Sequence, residues 1–196
     1  MPNNMESVRS FIAIELPGEL KLALKQLQAS LRQQVPGGIK WVDPESIHLT
    51  LKFLGNVQAG RINDIIKVME QSARGIAPFQ LEAKNLGVFP NLKRPQVVWV
   101  GLGGQLDQLS QLQQRIESNL VPLGFAVEHR SFSAHLTLAR VRNQAYPNER
   151  QRLGDLIAAT RFDTAYAITV NSINLMRSEL TREGAIYSRL GSVPLG

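Results

Sequence analysis

Hydrophobic positions along the chain switch between two periods. Ser10-Phe11-Ile12-Ala13-Ile14-Glu15-Leu16 is a nearly continuous apolar run closed by Pro17-Gly18, the mark of a largely buried strand. From Glu19 to Gln34, Leu20, Leu24, Leu27 and Leu31 recur at spacings of three and four, which predicts an amphipathic helix ended by Pro36-Gly37-Gly38. Ile47 to Leu54 reads as a second strand, broken by Gly55. Ile62, Ile65, Ile66 and Met69 form a second helical stripe stopped near Gly75, and Phe79 to Gly87 is a third strand. The order then restarts. Val97 to Leu102 is a strand, Gly103-Gly104 a turn, and Leu106, Leu109, Leu112, Ile116 and Leu120 line a helix. Ser133 to Val141 is a strand, Glu149 to Ala159 a helix, Ala165 to Leu175 a strand, and Ala185 to Leu190 a short edge strand. Residues 1–7 are expected to fray.

The restart is a repeat. Phe11 precedes His48 by 37 positions, Val98 precedes His135 by 37, and each interval ends in the tetrapeptide His-Leu-Thr-Leu. Two copies of one strand-helix-strand-helix-strand unit account for this. They predict an α+β fold, bilobal and pseudo-symmetric. Each lobe has a mainly antiparallel sheet with helices on its outer face, and the active-site cleft lies between the sheets. The chain is then one bilobal domain over 1–196, with lobe one at about 8–90 and lobe two at about 95–190. The loop from Pro90 to Pro95 is the boundary, and strands can be exchanged between lobes.

The repeated tetrapeptides are also where the chemistry lies. Residues i and i+2 of a strand share a face. His48 and Thr50 therefore point one way while Leu49, Leu51 and Phe53 point into a core. His135 and Thr137 repeat the arrangement with Leu136 and Leu138 behind them. Pseudo-twofold packing brings the two pairs together across the cleft. In-line phosphoryl transfer needs a base and an acid on opposite sides of phosphorus, and imidazole supplies either form near neutrality. His129, the third histidine, has no such partner and is expected at the surface. Lys52 shares the parity of His48 and is expected at the cleft mouth, opposite Ala139 of the other repeat. Phe89 and Phe132 suit either core packing or stacking on a base. Arg140 suits a phosphate clamp, but strict alternation turns it to the opposite face, so only a bulge or strand end brings it in. Gly101-Leu102-Gly103-Gly104 lacks the spacing of a dinucleotide loop and reads as a turn.

Composition narrows the partners. With 22 Lys+Arg against 16 Asp+Glu the net charge is +6, which favours anionic ligands such as nucleic acid. The absence of cysteine removes disulfides, thiolate metal sites and thiol nucleophiles, and fits a cytoplasmic protein. The N-terminal MPNNMESVRS has no signal-peptide pattern, and no apolar run is long enough for a membrane span. No carboxylates cluster in sequence beside His48 or His135, so no metal site is expected.

Both His-Leu-Thr-Leu elements resemble the paired motifs of the 2H phosphoesterase superfamily. The flanks are similar to its RNA 2′,3′-cyclic phosphodiesterase branch, formerly described as 2′-5′ RNA ligases. The matching stretches are Arg9 through Pro17, His48 through Gly55, Phe89-Pro90-Asn91, Val98 through Leu102, and His135 through Arg140, with Leu175-Met176 and Tyr187 behind them. The resemblance implies His48 as proton donor to the leaving oxygen and His135 as the base that activates water. It also implies Thr50 and Thr137 as phosphate ligands, opening of an RNA-terminal cyclic phosphate to a 2′-phosphate, and no metal or nucleotide cofactor. The expected partners are RNA 3′ ends, tRNA fragments among them, bound by a monomer. Two alternatives stay open. One is a 2H phosphoesterase for another substrate, such as 2′-5′-linked oligonucleotides, with weak reverse ligation. The other is a module that binds RNA ends without chemistry, which intact histidines in both halves argue against.

Overall fold

The computed structural model describes residues 6–35, 37–182 and 184–196. Among these residues nine strands form two antiparallel sheets, accompanied by four α-helices, which establishes the α+β class. The first unit runs β1 (Ser7–Glu15), α1 (Gly18–Gln34), β2 (Ile39–Trp41), β3 (His48–Gln58), α2 (Ile62–Ala73) and β4 (Phe79–Phe89). The second runs β5 (Val97–Gly104), α3 (Leu106–Leu120), β6 (His135–Val141), α4 (Pro147–Ala159), β7 (Tyr166–Val170), β8 (Ser172–Leu180) and β9 (Ala185–Pro194). Expected fraying over 1–7 is corrected at Ser7, which pairs with Gln58; residues 1–5 lie outside the described residues.

The strand orders are β3-β1-β8-β9 and β2-β6-β5-β4-β7. Each unit therefore keeps its first two long strands together and sends a later one across. β4 of the first unit pairs with β5, and β8 of the second pairs with β1. The run expected as one strand over 165–175 is two, because the chain leaves the five-stranded sheet after Val170 and enters the four-stranded sheet at Ser172. Helices α2 and α3 pack on each other; α2 also covers β8 and β9, and α3 touches β3. Helix α1 reaches β7 and α4 covers β4. One continuous apolar core joins all of these, from Ile12 and Leu49 to Leu136 and Ile168. No described helix is long and apolar enough to cross a membrane.

The helical stripes are apolar apart from Ser72 on α2, which bonds the Val68 carbonyl of its own helix, and three longer side chains. On α1, Leu20, Leu24 and Leu31 are buried together with Gln28; on α3, Leu109, Leu112, Ile116 and Leu120 are buried together with Gln113 and Glu117. Polar side chains on a core face need partners, and theirs lie at the functional strands.

Candidate active site

Strands β3 and β6, which begin at the two histidines, belong to different sheets and lie against each other where the sheets meet. On each, alternation holds through the tetrapeptide and then breaks. Thr50 pairs with Ala13 and Lys52 with Ile12, leaving Leu51 as an extra residue; Thr137 pairs with Trp99 and Ala139 with Val98, leaving Leu138 extra. Such a bulge reverses the faces of every residue beyond it. Both bulges fall on the fourth residue of the tetrapeptide.

Three expectations turn on this. Arg140, which strict alternation faces away, regains the face of His135 and Thr137 and is exposed. Phe53, expected in the core, is 68% exposed instead, beside Phe11 at a ring separation of 6.2 Å. Lys52, expected at the mouth, is turned inward: it is 8% exposed and bonds Glu117 Oε2 and the Ala126 carbonyl, each at 2.7 Å. The 37-residue matching of Phe11 with Val98 is also off by one. Phe11 pairs with Phe53 and Val97 with Arg140, so Phe11 and Val97 are the equivalents.

The two imidazoles are held alike. His48 Nδ1 lies 2.7 Å from the Ser46 carbonyl, and His135 Nδ1 lies 2.7 Å from the Ser133 carbonyl. A carbonyl only accepts, so Nδ1 carries hydrogen in both and Nε2 is left to face a ligand. Sequence reading missed these carbonyls because backbone acceptors leave no residue signature.

Their surroundings differ. His48 stacks on Phe11 at 4.5 Å and meets the edge of Tyr187 at 5.1 Å. Its strand neighbour is Glu15, whose carboxylate is bonded by Asn174 Nδ2 and Arg189. Burial lowers the His48 pKa below the ordinary imidazole value; the Ser46 carbonyl and Glu15 act against this, and Lys21 adds to it. His135 meets Phe89 edge-on at 5.0 Å, and its strand neighbour is Gly101. Behind Phe89 lies Trp99, whose indole covers Gly87 so closely that a β-carbon there would come within 2.3 Å of the ring. Of the two aromatics considered for stacking, Phe89 is thus at the site and Phe132 packs against the core. His129 is exposed, as expected.

Tyr187 ties the halves together. Burial raises its pKa, so the hydroxyl stays protonated, while the positive charges of Arg140 and Arg9 oppose the shift. Arg140 of the second motif thereby acts on the ring that touches the histidine of the first. Among the described residues no group of three His, Cys, Asp or Glu side chains converges as a metal site would require.

The chain matches a known group. The model of LigT-like phosphoesterases matches residues 14–99 and 101–187, one stretch for each unit. An RNA 2′,3′-cyclic phosphodiesterase of Methanothermobacter thermautotrophicus is 35% identical over 181 residues, covering 92% of this chain and 95% of the relative. Another of the same name, from Aquifex aeolicus, is 28% identical over 98% of this chain and all of its own length. Escherichia coli LigT in complex with 3′-AMP shares the fold at a TM-score of 0.77, with 24% identity, over 97% of this chain and 99% of that one. A protein of Thermus thermophilus gives a TM-score of 0.76 at 27% identity, over 95% of this chain and 97% of its own. Two tandem matches, each containing one histidine tetrapeptide, place this chain in the family of LigT-like, or 2H, phosphoesterases.

Proposed function

We propose that the protein hydrolyses the 2′,3′-cyclic phosphate at an RNA 3′ end to a 2′-phosphate, with His135 as base and His48 as acid. The observation that carries this is the matched pair of imidazoles, each with Nδ1 bonded to a carbonyl two residues back and Nε2 free for proton transfer. The names of the curated relatives supply the substrate.

In this reading His135 Nε2 takes a proton from water as its oxygen attacks phosphorus. The bond from phosphorus to O3′ breaks on the far side, and O3′ takes the proton from His48 Nε2. The hydroxyls of Thr50 and Thr137 and the guanidinium of Arg140 hold the non-bridging oxygens. Tyr187, kept protonated, is a further donor beside His48. Phe53 offers an open ring face to a nucleobase, in the manner of single-stranded RNA recognition.

The asymmetry that supports His48 as the acid is Glu15, which works against the burial that lowers its pKa. A carboxylate stands beside His48, where His135 has only Gly101. A negative neighbour favours imidazolium, and the bound phosphate adds to it. Lys52 and Ala139, expected at equivalent places in the cleft, both lie on the buried side of their bulges.

The test is an oligonucleotide ending in a 2′,3′-cyclic phosphate, incubated with the protein and EDTA and read by ³¹P NMR. A single 2′-phosphate product is expected, with no need for ATP. A 3′-phosphate or an equal mixture would overturn the acid and base assignment, and no hydrolysis would overturn the activity.

A further inference from the structure

The loop entering each histidine is clamped to the strand of the other. Val42, on the approach to His48, donates its N–H to the Leu138 carbonyl at 2.9 Å. Ala126, on the approach to His135, is held by Lys52 of β3, and the neighbouring Glu128 N–H bonds Glu117. At the first clamp a single amide bridges both sides. Gln28, 2% exposed on α1, donates Nε2–H to Leu138 O at 3.0 Å and to Val42 O at 2.8 Å. Its counterpart on α3, Gln113, reaches Leu51 O at 3.5 Å and Glu117 Oε1 at 3.2 Å. Leu138 and Leu51 are the extra residues of the two bulges, so both glutamines address the point where alternation reverses.

A core filled only for stability would not choose Gln28. Its Oε1 is buried and has no hydrogen-bond partner among the described residues, an arrangement that native interiors mostly avoid. The amide hydrogens, in contrast, meet the chain segments that lead to one histidine and follow the other. We propose that Gln28 is a positioning residue: its amide fixes the bulge at Leu138, and through it turns Arg140 onto the phosphate side of the cleft. Gln113 does the same, over a longer bond, for the bulge at Leu51 and for Phe53. If the bulge at Leu138 relaxes into regular pairing, the residues beyond it exchange faces. Ala139 then meets the cleft and Arg140 the core side. This inference rests on the reading of the cleft as a phosphodiesterase site.

A double-mutant cycle on 2′,3′-cyclic AMP tests it. Arg140→Ala should lower kcat/KM about tenfold or more, the scale of a charge-assisted hydrogen bond. Gln28→Leu should cost a similar factor, and the double variant should be no worse than Arg140→Ala alone, because the glutamine acts through the arginine. Paired with Phe53→Ala, which lies beyond the other bulge, Gln28→Leu should multiply. Multiplying losses in the Arg140 cycle would overturn the proposal. Gln28→Asn, with a shorter amide, repeats the cycle with less change to the core. If no Gln28 variant folds, the residue is structural and the proposal fails. Affinity for inorganic phosphate, measured by calorimetry, should show the same non-additivity between Gln28 and Arg140. That readout needs no turnover, so a wild-type protein inert toward cyclic phosphates would sink the activity and leave the brace to be decided on phosphate binding.

Discussion

Two histidines in equivalent places need not have equivalent jobs, and their neighbours separate them. His48→Ala and His135→Ala should each lower kcat by ~10²-fold or more, the scale of general acid–base groups, whereas His129→Ala should change little in the same steady-state assay. The pH profile carries the finer information. An acid must be protonated to act, and burial lowers the His48 pKa. The limb of kcat/KM set by His48, which reports the free protein, should therefore lie below the ordinary imidazole value of about 6.5. Anionic phosphate favours imidazolium, so the limb of kcat should lie at higher pH. Glu15 raises His48, and Glu15→Gln should move the kcat/KM limb further down. A limb that moved up instead would remove Glu15 from the assignment. Phe53→Ala should raise KM for a cyclic nucleotide and leave ribose 2′,3′-cyclic phosphate, which has no base, unaffected; equal effects on both would deny Phe53 its stacking role.

At the scale of the element, the bulges decide how much could be read from sequence. Helical and strand periods locate most elements, and the doubled tetrapeptide marks the two strand starts that the fold brings together, because those rest on local repetition. Beyond the fourth residue of each tetrapeptide strict alternation gives the wrong face, since a bulge inserts one residue without changing composition. Gly55, expected to end its strand, instead lies within β3 with φ of 69°. Sheet membership was equally hidden: nothing in Tyr166 to Leu180 marks the passage from one sheet to the other. A usable signal did exist in the helices, where Gln28, Gln113 and Glu117 interrupt stripes that are otherwise apolar. The buried pair at the first bulge gives a stability test. Lys52→Met leaves Glu117 charged, buried and without its cation, and should cost about 3–5 kcal/mol in urea denaturation. Adding Glu117→Leu should recover most of that; a double variant no better than Lys52→Met would show that the cost lies elsewhere, in the lost bond to Ala126.

For the molecule as a whole, the crossed strands make the two units depend on each other. β4 has all its strand partners in the second unit, and β8 bonds β1 of the first. Unfolding should accordingly be one cooperative transition. Both tryptophans, Trp41 and Trp99, sit in the five-stranded sheet, so their fluorescence reports that sheet while far-ultraviolet circular dichroism reports both. Coincident midpoints are expected; separate midpoints would mean that the sheets melt independently. Fragments cut within the loop at 90–95 should each lack a cooperative transition and should regain one when mixed.

The same crossing bears on how the surroundings of the two histidines came to differ. A single unit of this kind, standing alone, could complete its sheets only by lending its last strand to a twin, as a swapped homodimer does. In such a dimer every substitution appears twice, so a carboxylate gained beside one imidazole is gained beside both. Symmetry would then leave the two ends of a substrate indistinguishable to the protein. Carrying both units on one chain lifts that constraint while keeping the strands exchanged. Glu15 can stand opposite a glycine and Phe53 opposite an arginine, and a cleft built from duplicates acquires a direction.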